Sequence, residues 1–390
     1  MTELRLLSSL HDIPRPHWQA LYQQVAAQGY PFLRYEFLAA LEDSGCIGSN
    51  ADHDSGWQAG YLVAAEPGKT PTLIIPCFAK QHSYGEYVFD WRWAEAYEQY
   101  GLDYYPKRLC AIPFTPATGP RLLYREPRAV TEAVQALNSL CAQEQSSGWH
   151  LNFPDAPLRA VLQQQPELVQ RQHCQFHWFN RGYEDFEHFL SHFSSRKRKN
   201  VRKERQRVQQ QGIRLERKTG ASISNEDIAF FFRCYQMTYA RRRSWPYLNE
   251  AFFRQLVQTM PEQILLVLAW QDQQPVAAAW YFFDADTLYG RYWGALDDID
   301  SLHFEACYYQ GIEFCLQQGL QRFDPGTQGE HKIARGFEPI TTYSYHQLLH
   351  PGFQQAIGQF AAAEAQQVDH YRHQAAELLP FSHTTQLPAS

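Results

Sequence analysis

The alternation of apolar and polar positions is clearest in the second half of the chain. Apolar runs at Ile264 to Trp270, Pro275 to Asp284 and Thr287 to Trp293 are broken by Asp272-Gln273-Gln274 and Ala285-Asp286. Runs of strand length with breaks this short predict three consecutive antiparallel strands. Before them, Ser194 to Gln211 is polar apart from a narrow stripe at Val201 and Val208, which predicts a mostly solvated helix. Ser224 and Asp227 have capping-box spacing and start a second helix, to about Tyr239, and a third spans Asn249 to Thr259. After the strands, Phe304, Tyr308, Gly311, Ile312 and Cys315 recur at helical spacing. A short strand at Gln321 to Asp324, a strand-like stretch at Thr341 to Leu349 and a C-terminal helix complete the half.

The first half repeats this order with weaker contrast. Helical patterns cover His17 to Ala27 and Tyr35 to Ser44. Strands at Trp57 to Ala65 and Thr72 to Lys80 are joined by the turn Glu66-Pro67-Gly68-Lys69. An apolar run at Leu109 to Phe114, a helix at Arg128 to Gln145, a strand at Trp149 to Phe153, a helix at Pro157 to Gln164 and a strand at Gln175 to Asn180 follow. Each half reads helix, helix, meander, helix, strand, the order of a mixed α/β sheet. The 390 residues suit two domains of about 200 residues each. The expected division is 1–181 and 182–390.

Composition adds little until it is taken locally. A net charge of −6 gives no overall attraction to nucleic acid. The cysteines are scattered without paired spacing, which predicts reduced thiols. With no signal-peptide pattern and no apolar run of membrane-spanning length, the expectation is a cytoplasmic protein. His188 and His192 stand four residues apart but lack neighbouring ligands, so no metal is expected. Against the acidic whole, Arg196 to Arg207 holds eight Arg or Lys among twelve residues, with Glu204 as the one acid. Like charges at helical spacing repel, so the run predicts docking of a polyanion through residues such as Arg198 and Arg202. The alternative is a solvated face paired with acids elsewhere.

Three further stretches carry candidate chemistry. The first, Asp324-Pro325-Gly326-Thr327-Gln328-Gly329-Glu330-His331-Lys332, follows a short strand, where α/β sheets place ligands. Glu330 and His331 are candidate bases toward an attacking amine, while Lys332 and Arg335 can hold a phosphate or a developing oxyanion. In the second, Arg291-Tyr292-Trp293-Gly294, the backbone near Gly294 is a candidate oxyanion donor, Tyr292 a catalytic candidate, and Arg291 and Trp293 binding candidates. In the third, Asp90 and Trp91 belong to an aromatic-acidic cluster that can line an acceptor groove.

The runs Gly85 to Trp91, Pro113 to Pro120, Ser195 to Glu204 and Gly329 to Phe337 resemble the Fem-like (FemAB-related) N-acyltransferases. The resemblance implies two tandem N-acetyltransferase (GNAT)-like domains and transfer of an acyl or aminoacyl group to an amine, with a cell-wall precursor as one acceptor. It implies no tightly bound cofactor. The phosphate-bearing co-substrate is either acyl-CoA or aminoacyl-tRNA. The Gly-rich pyrophosphate turn of acetyl-CoA users is missing after Gly294, where Asp297, Asp298 and Asp300 stand instead. This departure favours the Fem-like reading. The alternative function is a catalytically silent module that recognises nucleic acid or a cell-envelope precursor through its basic helix.

Overall fold

A computed structural model describes residues 3–48, 55–327 and 329–382. The chain forms two compact units. The first comprises Met1–His173 and Thr341–Asp369, the second Cys174–Ile340 and His370–Ser390. This differs from a single cut at 181/182, because residues from near the end of the chain complete the first unit. The reason is packing. Leu348, Phe353 and Ile357 share an apolar cluster with Trp93, Tyr97 and Tyr104, and Tyr345 joins the larger first-unit core around Trp149 and Leu151.

In the first unit a four-stranded antiparallel sheet runs Glu3–Leu7, Tyr61–Ala65, Leu73–Pro76, Leu123–Tyr124. The runs expected as two long strands are each broken, because Trp57–Gln58 and Phe78–Lys80 pair with each other in a separate sheet. The break falls at Gly60, where a Cβ would lie 2.6 Å from the Cys77 carbonyl oxygen. Phe78–Lys80 continues antiparallel to Lys107–Cys110, which runs parallel to Gly148–Asn152. The crossover between these last two contains the Arg128–Gln143 helix, with Val130, Val134 and Leu137 buried. Residues 344–348 of the Glu338–Leu348 strand then pair antiparallel with Gly148–Asn152.

The second unit repeats this plan. Arg214–Thr219, Ile264–Gln271, Gln274–Phe283 and Thr287–Ala295 form an antiparallel meander. A helical crossover over 302–318 leads to Arg322–Asp324, parallel to Thr287–Ala295. Trp178 and Phe179 pair with that short strand from its other side. The Asn225–Arg241 helix starts at Ser224 with the expected reciprocal capping box to Asp227. It lies so close to the sheet that a Cβ on Gly294 would sit 1.9 Å from the Cys234 carbonyl oxygen.

Two irregularities position the functional residues. Trp280 pairs with Tyr292 and Tyr281 with Gly290, which leaves Arg291 as the extra residue of a β-bulge. Bulges re-aim a side chain. The crossover is also π-helical over Glu305–Tyr309, a geometry that gathers at functional sites.

Candidate active site

The short strand Arg322–Asp324 ends in Asp324, which is buried and shapes the loop after it. Its Oδ1 accepts the Gly326 N–H at 2.8 Å, and its Oδ2 accepts from Arg291 Nη2 at 2.8 Å. The His177 Nε2 lies 3.6 Å from Oδ1. Burial alone would raise this carboxyl, but Arg291, His177 and the Gly326 N–H outweigh it and hold Asp324 down to about 2. The bulge at Arg291 thus serves to deliver a guanidinium to the strand end.

Gly326 and Gly329 adopt positive φ, and a Cβ on Gly329 would fall 2.3 Å from the His331 ring. Glycine is required there by both backbone and space. Gln328 lies outside the described residues. The chain then enters the 3-10 helix Glu330–Arg335. Its Lys332 is 2 % exposed, and its Nζ donates to the carbonyls of Gly326 at 2.7 Å and Thr327 at 3.2 Å. Among the described residues it forms no ion pair within 4.0 Å. Burial pushes the ammonium down to about 8, with Asp324 opposing the shift and Arg291 adding to it. Two of its three N–H donors are used on carbonyls, which leaves one.

His331 is exposed, with Nε2 2.8 Å from the Tyr308 hydroxyl. Burial of part of its ring, then Lys332 and Arg335, lower its pKa and favour the neutral form. The rings of His303 and Phe304 lie 6.0 and 5.7 Å from it, and Trp293 is 5.5 Å from His303. Arg335 stacks over Phe304 at 3.4 Å and donates to Glu204 at 2.7 Å. Tyr309 donates to the other oxygen of Glu204. The lone acid of the basic helix is therefore the anchor that fixes Arg335.

The predicted residues separate into those this geometry gathers and those it does not. Arg291, Trp293, His331, Lys332 and Arg335 belong to one constellation around the loop. Glu330 is exposed and accepts from Tyr371 at 2.8 Å. Tyr292 is elsewhere: its ring packs 5.5 Å from both Tyr235 and Phe253, on the helix-covered side of the sheet. Gly294 is sealed against the Cys234 backbone, which accounts for the glycine without an oxyanion role. Asp90 is buried with Lys107 and Tyr104 as partners, and only Trp91, half-buried against exposed Tyr84 at 4.9 Å, stays on a surface. The lining role for Asp90 fails because its charge is already neutralised from within.

The basic helix Ser195–Gln210 also separates into two sets. Arg205 meets Glu305 and Glu313, Arg207 meets Asp300, and Arg202 meets Glu187. Arg198 donates to the Ser191 carbonyl at 3.1 Å. Among the described residues Arg196, Lys197, Lys199 and Lys203 have no ion pair within 4.0 Å. Three of the eight cations of the run, Arg202, Arg205 and Arg207, are thus paired with acids elsewhere.

Sequence reasoning passed over His177, Glu204, His303 and Tyr308. Tyr308 showed only as part of an apolar stripe, and His177 is brought in by strand order alone, so neither carries a local signal. Among the described residues no group of acidic, His and Cys side chains is arranged to hold a metal ion. No described helix is long and apolar enough to cross a membrane.

No curated protein shows significant sequence similarity to the chain. Among solved structures, FemX superposes with a TM-score of 0.53 at 11% identity, covering 91% of this chain and 100% of its own. A conserved protein of unknown function from Bacteroides thetaiotaomicron gives 0.51 at 11%, covering 88% and 99%. The C-terminal domain of a putative lysylphosphatidylglycerol synthetase from Agrobacterium fabrum gives 0.50 at 9%, covering 92% and 97%. At such identities the likeness is one of fold: a mixed α/β architecture of tandem GNAT-like units. A family pattern matches residues 9–383, and the chain belongs to that family, the FemAB-like proteins of peptidoglycan biosynthesis and recognition.

Proposed function

We propose that the chain is a FemAB-like N-acyltransferase that moves an acyl or aminoacyl group from an activated donor to an amine, using the Lys332 loop of the second unit. The observation that carries this reading is Lys332. It is a buried ammonium with no carboxylate partner among the described residues, held by two loop carbonyls at the end of a strand, with one N–H left to donate.

The acceptor amine attacks the donor's carbonyl carbon, and the free N–H of Lys332 stabilises the oxyanion that forms. When His331 Nε2 donates to Tyr308, its Nδ1 is an acceptor and takes the proton released by the attacking amine. His331 suits this role better than Glu330, whose carboxylate is bound by Tyr371. Arg335, fixed by Glu204 and Phe304, donates to the His331 carbonyl at 2.6 Å and so holds His331 in place.

The donor is better matched by aminoacyl-tRNA than by acyl-CoA. After Ala295 the chain passes Asp297, Asp298 and Asp300, then a three-residue α-helix that turns directly into π geometry. Three aspartates before this helix start oppose the binding of a pyrophosphate there. Arg196, Lys197, Lys199 and Lys203, without an ion pair among the described residues, supply phosphate contacts of a sequence-independent kind. The name of one similar structure, a putative lysylphosphatidylglycerol synthetase, supports aminoacyl chemistry, and the family description supports a peptidoglycan-related acceptor.

The test is transfer from labelled aminoacyl-tRNA and from acyl-CoA to amine-bearing peptidoglycan precursors. Lys332→Met should lower the rate about 10²- to 10³-fold, as loss of one oxyanion donor does, with folding intact by circular dichroism. Turnover that persists unchanged in this variant refutes the assignment, and inactivity with both donors and every precursor favours a recognition module.

A further inference from the structure

The first unit contains a continuous buried hydrogen-bonded chain of its own. His173 Nε2 lies 3.2 Å from Ser344 Oγ, which lies 2.8 Å from His346 Nε2. The Nδ1 atoms of His346 and His150 are 2.7 Å apart, and His150 Nε2 is 3.3 Å from the Tyr104 hydroxyl. Tyr104 in turn donates to Asp90 Oδ2 at 2.6 Å. The strand register builds most of this path. His150 and His346 are directly opposite one another in the ladder, and Ser344 is two residues along on the same face.

The chemistry of the end group fixes the sense of every link. Burial works against the Asp90 charge, but Lys107 and His150 outweigh it and hold the carboxyl at about 2, so it only accepts. The single Tyr104 proton is therefore committed to Asp90, and the Tyr104 oxygen receives its bond from His150 Nε2–H. Burial, then Lys107, pushes His150 down to about 3, and burial also holds His346 well below the ordinary range. Both rings are neutral and carry one N–H each. With its proton on Nε2, His150 accepts at Nδ1, so His346 donates from Nδ1 and accepts at Nε2 from Ser344. Ser344 Oγ then accepts from His173 Nε2–H. All five hydrogen bonds point the same way, from His173 to Asp90.

A proton acceptor stands at the far end. The Lys107 ammonium, itself fully buried, spends its three N–H groups on Ser83 at 2.8 Å, Glu86 Oε2 at 2.8 Å and Asp90 Oδ2. Burial raises Glu86 to about 7 against the pull of Lys107, with Asp90 adding to the rise and Lys80, 4.0 Å away, opposing it. Glu86 Oε1 and Asp90 Oδ1 are buried with no hydrogen-bond partner among the described residues. At the entry end, Arg171 lowers His173 and Glu364 raises it, while burial dominates and leaves it at about 4.

We infer that the first unit carries a proton relay from His173 to Glu86 by way of Ser344, His346, His150, Tyr104, Asp90 and Lys107. A proton bound at His173 Nδ1 releases the one on Nε2 to Ser344, and each group in turn passes its own hydrogen forward. Asp90 gives the arriving proton to Lys107 as Lys107 gives another to Glu86 Oε2. One proton is gained on Glu86, one is lost from solvent, and Lys107 and Asp90 return to their starting charge, while the three rings stand in their other tautomers until the proton leaves Glu86 by the reverse route. This gives the first unit a site of proton uptake and release that does not use the Lys332 loop.

Two measurements on the full chain test the relay. In ¹⁵N-histidine protein at pH 9, where Glu86 is ionised, long-range ¹H–¹⁵N spectra should show His150 protonated on Nε2 only, His346 on Nδ1 only and His173 on Nε2 only. Tyr104→Phe should release this order at His150 and His346. A charged ring, the opposite tautomers, or an unchanged pattern in Tyr104→Phe overturns the inference. After a pH jump, an infrared carboxylic-acid band absent from Glu86→Gln should report proton arrival. Ser344→Ala should leave its pH midpoint in place yet slow its appearance by about 100-fold, the low end for loss of a positioned proton-transfer group. Equal rates in the two proteins show that the proton reaches Glu86 by another route and likewise overturn it.

Discussion

Lys107 and Lys332 are both buried lysines, one in each unit, and their surroundings treat them in opposite ways. Lys107 donates to two carboxylates, Glu86 and Asp90, whose attraction exceeds the burial penalty and raises its pKa. Lys332 donates to two carbonyls, and burial prevails and lowers its pKa to about 8. Burial by itself does not decide the charge of a lysine. The partners do, because a carboxylate repays the desolvation of an ammonium in full charge, whereas a carbonyl repays it only as a dipole. The first arrangement keeps the ammonium charged at rest, and the second leaves a group that changes charge near pH 8.

The largest expected break in this comparison is in stability. Lys107→Met strands two buried carboxylates and should cost about 3–5 kcal/mol. Lys332→Met leaves only carbonyls with one donor fewer and should cost about 1–3 kcal/mol. Urea unfolding of the two variants measures the difference, and equal losses would remove the distinction.

The pH dependence should also separate the two lysines. Between about 8 and the ordinary lysine value of 10.5, Lys332 is neutral in the folded chain and charged in the unfolded one. The unfolded state then binds more protons, so stability contributed by this group rises as pH rises through that window. Lys107 has its pKa raised, so its contribution is fully present below 10.5 and is lost above it. Stability curves of wild type against Lys332→Met should therefore diverge above pH 8, and transferase activity that needs a charged Lys332 should fall in the same range. Parallel curves would count against the depressed value.

The smallest expected effect lies on the basic helix. Arg202 meets Glu187 at an exposed position, so Arg202→Ala should cost roughly 0–1 kcal/mol. Arg205, part-buried between Glu305 and Glu313, should cost more when replaced by Ala. Thermal unfolding of both variants ranks them.

Much of the secondary structure was legible in the sequence. The second-unit meander, the capping box at Ser224 and the polar helix with its Val201–Val208 stripe follow from periodicities over a few residues, which local backbone preferences can satisfy. The Gly-rich loop and its His331, Lys332 and Arg335 were also visible, because glycines at a strand end next to basic residues form a local pattern. Tyr292 was misplaced because a strand-end motif does not say which face a residue takes once a bulge shifts the register by one. Asp90 was misread because its partner Lys107 is seventeen residues away, on the Lys107–Cys110 strand.

The sequence by itself determined most helices and strands of the second unit, where the loop turns, and where positive charge is concentrated. Only the tertiary structure decided which charges meet. Asp324 finds Arg291 and His177, Glu204 finds Arg335, and His150 finds His346 across 196 positions. Short-range patterns are written in neighbouring residues. The protonation state of a buried group depends on the groups that strand order brings against it, and these are distant in the chain.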